Sequence, residues 1–205
     1  MKRRASRVSI LTVLALGLLA PVSSAATKAD DLRADMRKLW EDHITWTRAF
    51  IVSALADLPD KAVVTERLLK NQVDIGTAIK PFYGQAAGDK LAALLKDHIL
   101  IAADIVTAAK ANQTAQVEAA KTRWVANADE IAAFLSAANP KEWPAASMKS
   151  MMREHLDLTT TELTARLNKD WTADVAAYEK IHAQILHMAD MLAQGIARQH
   201  ASKLM

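Results

Sequence analysis

The sequence predicts an all-α protein, a six-helix antiparallel bundle that follows a cleaved signal peptide. Two observations carry this fold class. The chain has only five glycines and five prolines, and alanine and leucine dominate it, a composition typical of helices. Apolar residues also recur with the helical period, as at positions 91, 94, 95, 101 and 105. Each predicted helix therefore has one face that can be buried in a core.

Clusters of turn-forming and helix-capping residues divide the chain into segments. They predict helices over residues 28 to 57, 62 to 80, 87 to 110, 115 to 138, 145 to 168 and 171 to 199. The connections between these helices are short, which favours antiparallel packing of helices that follow one another. We therefore expect three helical hairpins joined end to end.

The N-terminus has the features of a secretory signal peptide. An apolar run from Val8 to Ala20 is followed by Pro21 and a stretch of small residues, and four basic residues precede it: Lys2, Arg3, Arg4 and Arg7. The run is too short to cross a bilayer as a helix. We expect residues 1–25 to be removed and residues 26–205 to form one soluble domain in the periplasm or the medium.

The charge of the expected mature chain excludes some partners. Lysine and arginine number 26 and aspartate and glutamate 23, but four basic residues lie in the signal peptide, which leaves 22 against 23 and a net charge of −1. A near-neutral chain does not favour nucleic acid or an anionic membrane surface as a partner. The chain has no cysteine, so disulfides and thiolate metal sites are excluded.

An internal repeat relates the odd-numbered helices. An acid, a histidine and a branched apolar residue recur around His43, His98 and His155, at nearly equal intervals along the chain. Helices two and four share an arginine, an asparagine, an acid and an isoleucine at a similar interval: Arg67, Asn71, Asp74 and Ile75, and Arg123, Asn127, Glu130 and Ile131. The acids before the histidines are expected to pair with Arg67 or Arg123. The chain is predicted to contain three copies of one hairpin.

Helical phase places the repeated histidines on apolar stripes. In the sixth helix His182 follows Asn127 by the same interval that separates His43 from His98, and it takes the corresponding place. Four imidazoles, those of His43, His98, His155 and His182, are therefore expected to point into the core near mid-helix. Asn71 and Asn127 are expected at the same height, which predicts a polar layer across the bundle.

Buried polar groups need partners, and the residues of this layer could find them in three ways. The four histidines could bind a transition metal, with copper or zinc expected because imidazole suits both ions. Thioethers nearby, from Met151, Met152 and Met188, favour copper. Asn71, Asn127, Asp74 and Glu130 would then contact the ligand or orient the rings, and the Glu162 carboxylate could ligate or orient them as well. Alternatively, the layer could hold another small ligand, or it could be a structural network that fixes helix register.

No enzymatic motif supports catalysis. A glycine-rich phosphate loop, a G-x-S-x-G elbow and an H-E-x-x-H motif are absent, and the E-x-x-H motif that di-iron bundles use twice occurs only once, at Glu179 to His182. We therefore expect a metal-binding or ligand-binding protein rather than an enzyme, with a structural or interaction protein of the cell envelope as the alternative. A metal-dependent oxidase or hydrolase is a third interpretation, which would require an open coordination position.

Several segments resemble a family of exported bacterial all-helical proteins without an established activity. They are Leu39 to Arg48, Asn71 to Gly76, Asp97 to Leu100 and His182 to Leu192, and the resemblance extends over nearly the whole mature chain. Some members are labelled glycosyltransferases. This sequence lacks an Asp-x-Asp motif and an alternation of strands and helices, so the resemblance implies a helical exported protein and no sugar transfer.

Overall fold

The computed structural model describes residues 27–204, which form six α-helices and one short 3-10 helix. No β-strand occurs in this part of the chain, and the all-α prediction is confirmed. The predicted signal peptide, residues 1–25, lies outside the described residues. The elements are α1 (Lys28–Leu55), α2 (Lys61–Tyr83), α3 (Gln85–Lys110), α4 (Thr114–Ala138), α5 (Ala145–Leu167), α6 (Trp171–Gln199) and η1 (Ala201–Lys203).

The second helix ends three residues later than the predicted position 80. Helix α2 continues through Pro81 to Tyr83, and α3 begins at Gln85 after a single connecting residue. That residue, Gly84, has a φ of 86°, a conformation that glycine adopts without steric cost. Its N–H still donates to the Lys80 carbonyl at 2.9 Å. Gly84, and not the proline, therefore separates the two helices.

The six helices form a closed ring around one core. Each helix packs against the next in sequence, and α6 returns to pack against α1. Asp190 on α6 joins this last pair, because it accepts hydrogen bonds of 2.8 Å from both Arg33 and Arg37 on α1. Within residues 27–204, no helix combines the length and apolar character of a membrane-spanning segment.

The three hairpins share one kind of turn. Helices α1, α3 and α5 are each followed by a residue with positive φ, namely Asp57, Asn112 and Lys169. In each turn the next residue donates its N–H to the carbonyl five positions earlier: Leu58 to Ser53, Gln113 to Ala108 and Asp170 to Ala165. The intervals between these turns equal the intervals between the three histidines. The fold is thus built from three equivalent hairpins, as predicted.

Candidate functional site

Three histidines meet in the middle of the bundle, one from each odd-numbered helix. His43, His98 and His155 expose only 3%, 3% and 5% of their surface. The ring centroids of His43 and His155 are 5.8 Å apart, and those of His98 and His155 are 6.4 Å apart. We call these three residues the histidine layer. Their positions on the apolar stripes of α1, α3 and α5 bring them together.

The His98 ring is held by an amide from the next helix. Its Nδ1 lies 2.7 Å from Oδ1 of Asn127, whose Nδ2 donates to the Leu94 carbonyl at 3.0 Å. The carbonyl can only accept, so the amide nitrogen must face Leu94 and the amide oxygen must face His98. The neutral His98 ring therefore carries its proton on Nδ1, and its Nε2 has a free lone pair.

The third hairpin repeats this arrangement. His155 Nδ1 lies 3.2 Å from Oε1 of Gln184, and the Gln184 amide nitrogen donates to the Met151 carbonyl at 3.2 Å. In both hairpins the carbonyl belongs to the residue four positions before the histidine. The same reasoning places the His155 proton on Nδ1 and leaves a lone pair on Nε2.

The first hairpin departs from the pattern at one bond. Asn71 donates its Nδ2 to the Leu39 carbonyl at 2.9 Å, as the repeat requires. Its Oδ1, however, accepts from Gln72 Nε2 at 3.1 Å instead of from the histidine. His43 Nδ1 is consequently buried without a hydrogen-bond partner.

Other polar atoms around the layer also lack partners within the described chain. Besides His43 Nδ1, these are His98 Nε2, Gln72 Oε1 and the indole nitrogens of Trp40 and Trp124. The two indoles pack against the layer, with Trp40 5.7 Å from His43 and Trp124 5.1 Å from His98 between ring centroids. A buried group without a partner costs about 1–3 kcal/mol. Such a concentration of them indicates a place where something else can bind.

Burial keeps the three imidazoles neutral. Desolvation lowers the pKa of His98 to about 3, and it lowers the pKa values of His43 and His155 below the usual 6.5. Repulsion from His155 lowers the pKa values of His43 and His98 further. Neutral imidazole is the form that accepts a hydrogen bond or ligates a metal at its free nitrogen.

Two small apolar cavities lie on opposite sides of the layer. A cavity of about 30 Å³ is lined by Trp124 and by the residues four positions after each histidine, Thr47, Ala102 and Thr159. A second cavity, of about 20 Å³, borders Trp40 and the opposite ends of the helices. Each volume suits a ligand of one or two heavy atoms.

The structure does not bring His182 to the layer, and the expectation that it faces the core was wrong. Its side chain is 34% exposed, and its Nε2 lies 2.9 Å from Oε1 of Glu41. The place predicted for it belongs to Gln184, which stands two positions further along α6. The interval from His98 to His155 is also two positions longer than that from His43 to His98. This difference in the sequence could have identified Gln184, rather than His182, as the residue that faces the layer.

Of the other predicted ligand contacts, the two asparagines lie beside the histidines and the two acids do not. Asp74 lies near the surface and pairs with Lys70 at 2.9 Å, and Glu130 is exposed. The acids follow the asparagines by three positions, and this spacing places them on the outward side of the interhelical contact. Neither carboxylate can therefore orient the rings as expected.

No group of three or more histidine, aspartate or glutamate side chains in residues 27–204 is arranged to hold a metal ion. The distances explain this for a site of three ligands, because nitrogen ligands lie about 2.0–2.1 Å from such an ion, and tetrahedral or trigonal coordination then places two ring centroids about 5.2–5.5 Å apart. The observed separations of 5.8 and 6.4 Å are longer. Ligation by all three rings would require them to move closer together.

A second buried polar group was not predicted from the sequence. Arg48, Arg166, Glu162 and Asp174 form what we call the arginine–acid cluster, near the end of the bundle that carries the hairpin turns. Arg48 Nη1 donates to Glu162 at 2.5 Å and to Asp174 at 2.9 Å, and Arg166 donates to Asp174 at 2.6 Å. Glu162 and Asp174 are 2% and 1% exposed. Glu162, expected as a possible ligand near the histidines, belongs to this cluster.

Comparisons with models of known protein families, with curated proteins and with solved structures found no match. The geometry of the histidine layer is therefore the basis for assigning a function.

Proposed function

We propose that this protein is exported and binds a transition-metal ion at the histidine layer, and that copper(I) is the ion it takes. The observation that carries the proposal is the fixed Nδ1 proton of His98, which leaves a buried Nε2 lone pair without a partner. Histidines that ligate metals are commonly oriented in this way, by a hydrogen bond from the other ring nitrogen to an oxygen.

The charge of the layer favours a monovalent ion. The three imidazoles are neutral, and the two acids expected beside them lie outside the layer. An ion held by neutral ligands keeps its full charge in a buried site, and burying a charge costs more as the charge increases. Imidazole is also an accepted ligand of copper. Copper(I) thus fits the layer better than zinc(II), provided that the rings move closer by about 1 Å.

A structural role is the second candidate, and one repeated observation favours it. In each hairpin an amide on the even-numbered helix donates to the carbonyl four residues before the histidine on the odd-numbered helix. These contacts fix the height of each helix relative to its neighbour. A protein of the cell envelope could use them only to set register and bind its partner elsewhere.

Titration of the purified protein with copper(I) under anaerobic conditions, in competition with a coloured chelator, tests the proposal. We expect one ion per chain and a higher melting temperature, because a ligand at 100 times its Kd adds about 2.7 kcal/mol to the free energy of unfolding. Zinc(II) in a parallel titration is expected to bind more weakly. Because burial holds the pKa of His98 at about 3, protonation should weaken the competition only as the pH falls toward 3 and not near pH 6.

His98→Ala is the informative variant, and His187→Ala is its matched control because His187 is exposed on α6. We expect the first to weaken copper binding at least tenfold and the second to leave it unchanged. Circular dichroism at pH 7 checks that both variants remain helical. If the unaltered protein binds neither ion above micromolar affinity, the metal proposal is abandoned in favour of the structural role.

A further inference from the structure

The outer surface of the second hairpin contains an open groove between α3 and α4. It has a volume of about 470 Å³, and the residues around it include Asp97, Leu100, Asp104, Arg123, Asn127 and Glu130. Asp97 and Glu130 are exposed, and neither forms an ion pair or a side-chain hydrogen bond within residues 27–204. Two unpaired carboxylates therefore border a partly apolar depression.

The first hairpin has the corresponding surface, and there a guanidinium group covers it. The repeat equates Asp97 with Asp42 and Glu130 with Asp74. Arg67 Nη2 donates to Asp42 at 3.2 Å, and its Nη1 lies 4.0 Å from Asp74. The guanidinium also stacks on Trp46, with 5.1 Å between its Cζ and the ring centroid. The Arg67 guanidinium thus hydrogen-bonds Asp42 and forms a longer ion pair with Asp74.

The second hairpin has an equivalent arginine, which also borders the groove but pairs with a different acid. Arg123 occupies the position of Arg67 and donates to Asp104 at 2.9 Å. Asp104 replaces Ala49 of the first hairpin, so the first hairpin offers no such alternative acceptor. Because Arg123 pairs with Asp104, Asp97 and Glu130 lack the guanidinium contact that the corresponding acids have in the first hairpin.

Further substitutions make the groove deeper and less polar. Ile101 stands where the first hairpin has Trp46, and Ala126 stands where it has Lys70, whose ammonium pairs with Asp74. Leu100 replaces Thr45 and is 49% exposed beside the groove. The groove therefore combines room for an alkyl stem, two free acids and an exposed apolar side chain.

We infer that this groove binds an arginine side chain of a protein partner, with the guanidinium between Asp97 and Glu130 as Arg67 lies between Asp42 and Asp74. The internal comparison indicates the chemistry of the occupant. The exposed Leu100 indicates its source, because a free amino acid would leave this residue in water while an apolar neighbour in a polypeptide would cover it. The site requires no metal, and it meets the histidine layer only at Asn127, which lines the groove and contacts His98.

NMR titration of the ¹⁵N-labelled protein tests the inference with four probes. These are the peptide acetyl-Leu-Arg-Leu-amide, its citrulline and lysine counterparts, and free arginine amide. We expect saturable shifts at Asp97, Leu100 and Glu130 with the arginine peptide, at a Kd of about 1 mM. The citrulline peptide lacks the charge and the lysine peptide lacks the fork-shaped donor geometry, so both should bind at least fivefold more weakly. Arginine amide should also bind more weakly than the arginine peptide.

A double variant, Asp97→Asn with Glu130→Gln, is expected to weaken binding of the arginine peptide about tenfold. The matched control is Asp42→Asn with Asp74→Asn, which makes the same change in net charge on the first hairpin and should leave binding unchanged. The inference is overturned if the arginine peptide gives no saturable shifts up to 20 times the expected Kd. It is also overturned if both double variants bind equally well, if the three peptides bind equally, or if arginine amide binds as tightly as the arginine peptide.

Discussion

The histidine layer and the arginine–acid cluster are both buried and polar, but their groups are satisfied in different ways. In the cluster, Asp174 accepts hydrogen bonds from two arginines, and Glu162 accepts one from Arg48. In the layer, the rings are neutral and several nitrogens have no partner in the described chain. The cluster is complete within the protein, whereas the layer is not.

This difference separates a structural polar group from a candidate binding site. Charged groups that satisfy one another leave little free energy to be gained from a further ligand. Neutral groups held in a fixed orientation, with unused lone pairs, gain hydrogen bonds or coordination bonds when a ligand arrives. The two regions should therefore respond differently to acid and to substitution.

Acid should produce the largest effect, through the histidine layer. Burial holds the pKa of His98 at about 3, so below about pH 6.5 the unfolded chain binds a proton that the folded chain does not. The contribution of His98 to the free energy of unfolding is fully present above that pH, and it is lost as the pH falls toward 3. Between pH 7 and pH 5 we expect His98 alone to account for a loss of about 2 kcal/mol, and His43 and His155, whose pKa values burial also lowers, to add to it.

Urea unfolding at both pH values measures this loss. His98→Leu should reduce it by about 2 kcal/mol, and His187→Leu serves as the surface control. Equal losses in the unaltered protein and in His98→Leu would contradict the buried, neutral state of His98.

Glu162 should change the free energy of unfolding with pH in the direction opposite to that of the histidines, which distinguishes the cluster from the layer. Burial outweighs the attraction of Arg48 and raises the pKa of Glu162 to about 7. The folded chain therefore retains a proton that the unfolded chain has lost, and the contribution of Glu162 decreases as the pH rises from about 4.5 to 7. Glu162→Gln should make the free energy of unfolding rise more steeply between pH 5 and pH 7. Parallel curves for the two proteins would show that Glu162 ionises normally.

Removing the shared acid of the cluster should have the next largest effect. Asp174→Ala leaves two arginines without their common partner and is expected to cost about 3–5 kcal/mol in the free energy of unfolding. Asp190→Ala is the matched control, because Asp190 also binds two arginines but is 27% exposed; it should cost at most about 1 kcal/mol. Similar losses for the two variants would mean that burial adds nothing to the cluster.

Breaking one histidine–amide contact should have a smaller effect. Asn127→Leu leaves the Nδ1 proton of His98 and the Leu94 carbonyl without their present partner, at a cost of about 1–3 kcal/mol. Adding His98→Leu should recover part of the loss, because two apolar side chains then face each other. Chemical denaturation of the single and double variants measures both effects. A double variant whose loss equals the sum of the single losses would argue against a direct contact.

The smallest effect is expected at His182. Its contact with Glu41 lies at the surface, where exposed ion pairs contribute little. His182→Ala should therefore change the free energy of unfolding by less than about 0.5 kcal/mol. A loss above about 1 kcal/mol in the same denaturation experiment would place His182 in a more buried environment than the structure gives it.

The fold and most of the layer could be predicted because they depend on periodicity. His43, His98 and His155 interrupt apolar stripes, and a polar residue on such a stripe is buried when its helix packs. Gln184 was missed because the repeat lengthens by two positions between the second and third hairpins. A shift of two positions turns a helix by about 200°, which is enough to exchange an inward side chain for an outward one.

The arginine–acid cluster could not be predicted in this way. Arg48 and Arg166 have long side chains, and the helical position of such a residue does not determine whether its charged end reaches solvent or a buried acid. Asp174 lies in the first turn of α6, where an acid is also expected for its favourable interaction with the helix dipole. Only the packing of α1, α5 and α6 identifies these residues as partners.

The closure of the ring has a consequence for how the chain folds. Each hairpin brings together residues close in sequence, so its two helices can associate early and locally. The contact between α1 and α6 joins Arg33 to Asp190 across 157 residues, and it can form only after the last helix has been made. The beginning of α1 and the end of α6 lie side by side, so a circularly permuted chain could join them and begin and end at Gly84 instead. In that chain α6 would directly precede α1, and the contact between them would form between residues close in sequence. The order of assembly of the helices would then change while the packed core stayed the same.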